Sequence, residues 1–525
     1  MSHEINLDDY RDEEGFIRLV PKHPIPIKNS LKKRFQKTET SEIVLHHGYI
    51  AITNYKKGDC WELEKALSVW DKVCFKYQMV AGWFVEEYKE LRLSRGFDLN
   101  LLSRLLPGRK MRVENDAFKA DKIDADLYVE PRSDFQRVAL TFMTSQGVYS
   151  PNNRYTQQII DADTGDGKSY CGIASIVYWS HKAVIFVPFS KLLNQWKDSI
   201  LQFTSIKEKE IMCVQGGSAC QKIIDGKCKD IKVFIFMVDT VASYQRRYGN
   251  LATIDLLEAT HAYVKIVDEV HRDMKAISMI DALSNFRLNY YMSASPGRAE
   301  SKENWIFRTM FRNVPRFGSS FKTEEEKHIN IMIKKYFWTP DAIQIKNMVN
   351  VRTGLNTKAY ERELINSPPA QRESFDTALE VMLKWAKGIM KPDKKAMILA
   401  QSVDTLYYIQ NIAEKIFPGE TGVYYGGLKP KEKDVALQKR IIIATSSTLG
   451  TGADIKGLQF NFNVSTYSNQ IDAIQISGRT RKMDDAEVVY CELVNFGYLK
   501  TARQFEKRKP YLLKRAKHGK LIFVN

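Results

Sequence analysis

The stretch DADTGDGKS at residues 161–169 carries the residue types needed to hold a phosphate. Ala162 is followed by four residues and then by Gly167, Lys168 and Ser169, the spacing of a phosphate loop with Ala in place of the first Gly. Gly165 and Gly167 let the backbone bend until successive N–H groups point at an anion, and a helix starting here adds its positive end. Thr164, Gly165, Asp166, Gly167, Lys168 and Ser169 are therefore candidate binding residues. The Lys168 ammonium would reach the β- and γ-phosphates of ATP, and the Ser169 hydroxyl would ligate the bridging magnesium. A glycine-rich surface turn is the alternative. About a hundred residues downstream, Asp268 and Glu269 end the run AYVKIV. Two adjacent carboxylates at the tip of a buried strand are costly unless they have a task. Asp268 can hold magnesium through its hydration shell, and Glu269 can orient and deprotonate an attacking water, the division that phosphoryl transfer requires. A solvated acidic turn is the alternative here.

Such groups need rigid elements to hold them. The chain has 525 residues, 44% hydrophobic and 27% charged, which is globular composition and enough for about three domains. No run of about 18 apolar residues could span a membrane. The polar opening MSHEINLDDYRDEEG has no apolar signal core, so a cytoplasmic, membrane-free protein is expected. Seven cysteines without a CxxC pair read as reduced thiols, with a zinc site through Cys213, Cys220 and Cys228 as the alternative. The net charge of +17 favours a polyanionic partner such as nucleic acid over a merely solubilising surface.

Residues 1–128 show no catalytic motif. LKKRFQK at 31–37 is a basic cluster, HHGYIAITNY reads as a strand, WELEKALSVWDKVC as a helix, and LLPGRKMRVEND as a basic turn. They suggest a small α+β module for contacting DNA or, equally, a structural cap. From 129 to 324, AVIFVPF, IKVFIFMV and AYVKIVDEVH alternate with amphipathic stretches, as βαβ units of a parallel sheet do. From 325 to 525 the pattern repeats: IKKYFWTP, MILAQSV, TGVYYGGL and RIIIAT are strand candidates, and ESFDTALEVMLKWAKGI is an amphipathic helix. The carboxy-terminal EKRKPYLLKRAKHGK, with Tyr511 among its basic residues, suits phosphate contact or is an ordinary solvated helix.

DEVH after a phosphate loop resembles motif II of the superfamily 2 helicases and translocases, and further segments between about 130 and 490 resemble the other motifs of that family in order. Gln136 resembles the upstream glutamine that reads adenine, although Arg132 stands four residues before it where the family has Arg three before. VPFSKLLNQW, with Pro188 and Phe189, and VDTVAS, with Thr240, are similar to motifs that meet nucleic-acid phosphates. Ser293 and Ser295 resemble the segment that, with His271, couples hydrolysis to grip. Thr445 and Ser446, expected to face nucleic acid, and Gly452-Ala453-Asp454 resemble motif V. Gln475, Gly478 and Arg479 resemble motif VI, whose arginine meets the γ-phosphate; such a finger is worth ~10³ or more in rate. The second arginine is expected three residues after the first, whereas Arg481 is two after and Lys482 fills the third place.

The resemblance implies two tandem RecA-like α/β domains with parallel sheets, preceded by a small α+β amino-terminal domain. It implies an ATP- and Mg²⁺-dependent DNA helicase, monomeric, acting on forked, branched or duplex DNA. The pattern is similar to the branch-migration helicases of tailed phages and their XPB-like relatives, enzymes of replication, recombination and repair that move 3′ to 5′. A duplex translocase that does not unwind, an RNA helicase and a non-catalytic annealing protein remain the alternatives.

Overall fold

The computed structural model describes residues 41–71, 76–145, 156–162, 166–270, 273–293, 307–318, 327–350, 354–448, 455–467, 476–481, 483 and 485–524. The basic cluster at 31–37 lies outside them. The chain divides into two compact units, with the boundary after residue 319.

In the first unit the amino-terminal elements and the larger parallel sheet with its helices share one hydrophobic core, in which Ile50, Leu91 and Phe97 of the former join Phe186, Phe236 and Ile280 of the latter. The amino-terminal strands are β1 (Glu42–Leu45), β2 (Tyr49–Thr53), β3 (Ser68–Asp71), β4 (Lys76–Met79), β5 (Gly82–Val85), β6 (Glu90–Ser94) and β7 (Lys110–Val113), with helices α1 (Trp61–Ala66) and α2 (Leu99–Leu105). Five of them form a sheet in the order β5-β6-β2-β1-β7. The expected helix over WELEKALSVWDKVC is corrected: it stops at Ala66, and SVWD becomes strand β3, paired antiparallel with β4. Val69 and Trp70 favour extended backbone, and Trp70 meets Tyr77 edge-on across the ribbon at 5.2 Å. Part of the basic turn is used internally, because Arg109 lies over the Tyr55 ring and Arg112 pairs with Glu42 and Glu114.

The larger sheet contains β8 (Gln157–Asp161), β9 (Ala183–Val187), β10 (Ile211–Val214), β11 (Val233–Met237), β12 (Val264–Asp268), β13 (Leu288–Ser293) and β14 (Arg316–Gly318). Its order is β10-β11-β9-β12-β13-β8-β14, and every pairing is parallel. Helices α3 (Asp134–Thr144), α4 (Lys168–Trp179), α5 (Ser190–Phe203), α6 (Gly217–Ile224), α7 (Val238–Glu258) and α8 (Met274–Ala282) complete it. Apolar runs such as AVIFV are buried at every position, as strands covered on both faces must be.

One polar cluster interrupts this core. Lys265 on β12 and Asp281 on α8 form an ion pair of 2.7 Å with both side chains wholly buried. Asp281 also accepts from Ser94 of β6 at 2.8 Å and from the Tyr291 hydroxyl of β13 at 2.9 Å, while Gln157 of β8 donates to that hydroxyl at 3.0 Å. The strands that end at the phosphate loop, at Asp268 and at Ser293 are thus tied to one another and to the amino-terminal sheet.

The second unit holds β15 (Ile329–Tyr336), α9 (Ala342–Met348), the short pair β16 (Val349–Asn350) and β17 (Gly354–Leu355), α10 (Thr357–Asn366), α11 (Pro369–Ile389), β18 (Lys395–Ala400), α12 (Val403–Ile416), β19 (Thr421–Tyr424), α13 (Pro430–Gln438), β20 (Ile441–Thr445), β21 (Leu458–Asn463), β22 (Val488–Asn495), α14 (Leu499–Arg515) and β23 (Ala516–Val524). Seven of these strands form a parallel sheet in the order β19-β20-β18-β21-β22-β15-β23. The two RecA-like parallel sheets and the small amino-terminal domain are therefore present. The carboxy-terminal basic stretch departs from expectation. Its helix ends at Arg515, the remainder is edge strand β23, and Arg508 is buried against Glu492 at 3.1 Å.

Removing one partner of a buried pair strands the other charge at a cost of about 3–5 kcal/mol. Asp281→Ala is expected to destabilise the first unit by that amount, read from urea unfolding; a loss below about 1 kcal/mol would show that the Lys265 cluster does not hold the strands.

Candidate functional site

Parallel strands place their carboxyl ends on one edge, where ligands of α/β sheets bind. The register aligns the key positions: Asp268 lies opposite Met292, Met292 opposite Ile160, and Ser293 opposite Asp161. Ala162 N–H donates to the Ser293 carbonyl at 3.1 Å, so the start of the phosphate loop is bonded directly to the end of β13.

Gly167 has φ +89° and serves as the N-cap of α4, with no side chain of its own to cap that helix. The first-turn N–H groups of a helix begun this way point toward an anion, which is the fit a nucleotide phosphate needs. A Cβ at Gly167 would lie 1.9 Å from Gln136 Nε2, so glycine is required by both backbone and space. Gln136 is almost wholly buried; its Nε2 donates to the Asp166 carbonyl at 3.0 Å, and its Oε1 accepts from Arg132 N–H at 2.9 Å. The side chain expected at a base edge thus clasps the phosphate loop, and Arg132 contributes its backbone to that clasp. The Lys168 ammonium donates to the Ala162 carbonyl at 2.7 Å.

Asp268 is 8% exposed. Burial, reinforced by the Glu269 carboxylate, pushes its carboxyl up to about 6, while Lys168 and a hydrogen bond from Trp196 pull the other way. The Trp196 indole N–H donates to Oδ2 at 2.9 Å, and the Glu269 N–H donates to Oδ1 at 3.0 Å. Glu269 itself has φ +51°, a left-handed turn that a glutamate adopts at a cost of about 1–3 kcal/mol. Among the described residues no group of three His, Cys, Asp or Glu side chains could hold a metal ion. This removes the Cys213–Cys220–Cys228 alternative, in which the Cys228 thiol instead contacts the Met212 sulfur at 3.5 Å. Magnesium would be held by Ser169, Asp268 and phosphate oxygens.

Pro188 and exposed Phe189 follow β9 on the same edge, and Thr240 lies just after β11, its hydroxyl accepting from Gly216 N–H at 3.3 Å. Thr164, Gly165, His271, Ser295, Asp454, Gln475 and Lys482 lie outside the described residues.

In the second unit Arg479 is half-buried in a turn secured by Asn461, whose amide donates to the Ile476 carbonyl at 2.6 Å. Arg481 is exposed. Thr445 and Ser446 are the pair expected to face nucleic acid. Both residues are buried; Ser446 Oγ donates to the Ala400 carbonyl at 3.2 Å, and the Thr445 hydroxyl bonds to that of Thr448. Buried Glu361 accepts from Gln401 N–H, Ser402 N–H and the Ser465 hydroxyl, fixing the loops after β18 and β21 together. Sequence patterning missed Trp196, Asn461 and Glu361; for Asn461 the signal was the alternation of polar Gln459, Asn461 and Asn463 with apolar residues along β21.

Residues 119–298 match the family described as type III restriction enzyme, res subunit, and residues 377–484 match the helicase conserved C-terminal domain. Transcript termination protein A18 of Yaba-like disease virus is 25% identical over 325 residues, spanning 60% of this chain and 62% of that protein. Putative helicase 161L of Invertebrate iridescent virus 6 is 22% identical over 382 residues, 69% of this chain and 77% of that one. The putative DNA 3′-5′ helicase Rad25 of Haloarcula marismortui is 24% identical over 200 residues, 38% of this chain and 28% of its own. The fold is similar to that of Saccharomyces cerevisiae Dbp5 bound to RNA and ADP BeF3, with TM-score 0.50, 12% identity, and coverage of 76% of this chain and 90% of that one.

Gly167→Ala should weaken ADP binding about tenfold or more, read by titration with a fluorescent ADP; unchanged affinity would show that this loop does not hold the phosphate. A second prediction concerns pH. Burial pushes the Glu361 carboxyl up to about 7 from an ordinary 4.5. The folded state therefore binds that proton more tightly, and the stability it supplies is full below about pH 4.5 and lost as pH rises to about 7. Melting temperature should fall across that window, and the fall should be smaller in Glu361→Ala; equal slopes would contradict the assignment.

Proposed function

The chain belongs to superfamily 2 of the helicases, and from that premise we propose that it is an ATP-driven DNA motor that moves 3′ to 5′ and unwinds or branch-migrates forked and junction DNA. The observation that carries the motor reading is the shared sheet edge, where Lys168, the N-terminus of α4, Asp268 and Glu269 stand at the ends of aligned parallel strands. The DNA reading is supported by the net charge of +17 and by the relative named a DNA 3′-5′ helicase.

In this reading Lys168 and the first N–H groups of α4 bind the phosphates, and Gln136 braces the loop while its remaining N–H and lone pair meet adenine. Ser169 and Asp268 would hold magnesium, which would supply charge neutralisation for the phosphates. Glu269 takes the proton of the attacking water. Arg479 is the proposed γ-phosphate finger, with Gln475 beside it in the sequence motif. Pro188, Phe189 and Thr240 contact the nucleic-acid backbone. The Ala162–Ser293 bond passes a change in the phosphate loop to β13, which gives the coupling role of the Ser293 segment a physical route. A second reading, a motor acting on transcription complexes, is favoured by the relatives named transcript termination proteins.

Lys168→Ala should lower ATP hydrolysis at least about 100-fold while leaving DNA affinity, measured by fluorescence anisotropy, nearly unchanged. Glu269→Gln should lower turnover by about 10²–10⁴ with ADP binding retained. Steady-state hydrolysis compared across single-stranded, duplex, forked, four-way and RNA substrates tests the substrate class. Strongest stimulation by branched DNA is expected; equal stimulation by plain duplex would favour translocation without unwinding, and stimulation by RNA alone would overturn the DNA assignment.

A further inference from the structure

We propose that Trp196 is a positioning residue for the magnesium site, fixing the Asp268 carboxylate through its indole N–H. The inference rests on the reading of Asp268 as the carboxylate that meets the metal's hydration shell. An aspartate carboxylate turns easily about its last torsion, whose energy profile is broad and two-fold. Here each oxygen has its own fixed donor: Glu269 N–H on Oδ1 at 3.0 Å and Trp196 Nε1–H on Oδ2 at 2.9 Å. The first donor belongs to the adjoining residue and moves with the strand end. The second comes from α5, 72 residues away in sequence, and is what ties the carboxylate's rotation to the rest of the fold. Each oxygen keeps a second lone pair in a fixed direction for the metal's water ligands.

The indole cannot swing away. Trp196 is 1% exposed, and its ring fills the space that Gly172 leaves on the phosphate-loop helix α4. A Cβ at Gly172 would stand 3.0 Å from Trp196 Cη2, 2.9 Å from Met292 Cε and 3.2 Å from Ile266 Cδ1. The ring is therefore seated among α4, β12 and β13, the elements that carry Lys168, Asp268 and Ser293. Its helix also begins beside Phe189, so one rigid element joins the proposed nucleic-acid edge to the metal-facing carboxylate.

The test is the affinity of the full-length chain for a fluorescent ADP, with magnesium and with EDTA. In the wild type magnesium should strengthen binding. Trp196→Phe should lose about tenfold of that gain, the low end of the cost of removing a group that orients a metal ligand, with the EDTA affinity unchanged. Trp196→His, which keeps a ring N–H, should recover part of it. A Trp196→Phe protein with the full magnesium gain, beside an Asp268→Asn protein that has lost it, would overturn the role of Trp196 alone. An Asp268→Asn protein that keeps the gain would overturn the reading of Asp268 and the proposal with it. Should Trp196→Phe fail to fold, the wild type supplies the readout. Of the eight tryptophan indole N–H resonances in a ¹⁵N spectrum, one should shift when magnesium joins bound ADP and stay still in Asp268→Asn; no such resonance would overturn the proposal.

Discussion

A carboxylate proposed to act as an anion is held here where water hardly reaches it. Asp268 ends a buried parallel strand, and burial alone favours its protonated form. The Lys168 ammonium, the Trp196 indole and the Glu269 N–H together offset that cost. They can do so only if the phosphate loop, β12 and α5 stand in fixed relation. That relation depends in turn on the Lys265–Asp281 cluster, which spends four buried polar groups to hold β8, β12 and β13 together beneath the site. The amino-terminal sheet enters the same cluster through Ser94, so it is built into the first unit's core and does not hang from it.

The second unit repeats the parallel sheet with different polar fixings. Glu361 ties two loops through backbone N–H groups, and Asn461 secures the turn that contains Arg479. Arg508, one residue of the basic stretch that suits phosphate contact or an ordinary solvated helix, neutralises Glu492 among Tyr467 and Tyr490.

Much of this architecture was legible in the sequence because its signals are local. Runs such as AVIFV and RIIIAT can only be buried strands, and the Gly-Lys-Ser and Asp-Glu pairs carry their chemistry in adjacent letters. What escaped depends on distant partners. SVWD follows a helical pattern, yet it becomes strand because KYQM lies across from it. The KHGKLIFV tail reads as a basic end, yet it pairs with β15, from which it is separated by the whole second unit. The base-recognition reading of Gln136 says nothing of a second task, and only the folded loop shows its amide also clasping Asp166 and occupying the space above Gly167. Trp196 looks like any core aromatic until β12 brings Asp268 to its indole nitrogen.

The most direct test of the account is a crystal structure of the full chain with ADP and magnesium. The β-phosphate should rest on the first N–H groups of α4, with the Lys168 ammonium moved from the Ala162 carbonyl onto phosphate oxygen and the magnesium hydration shell against Asp268. A nucleotide bound elsewhere, or a Lys168 still bonded to Ala162 with nucleotide present, would contradict it.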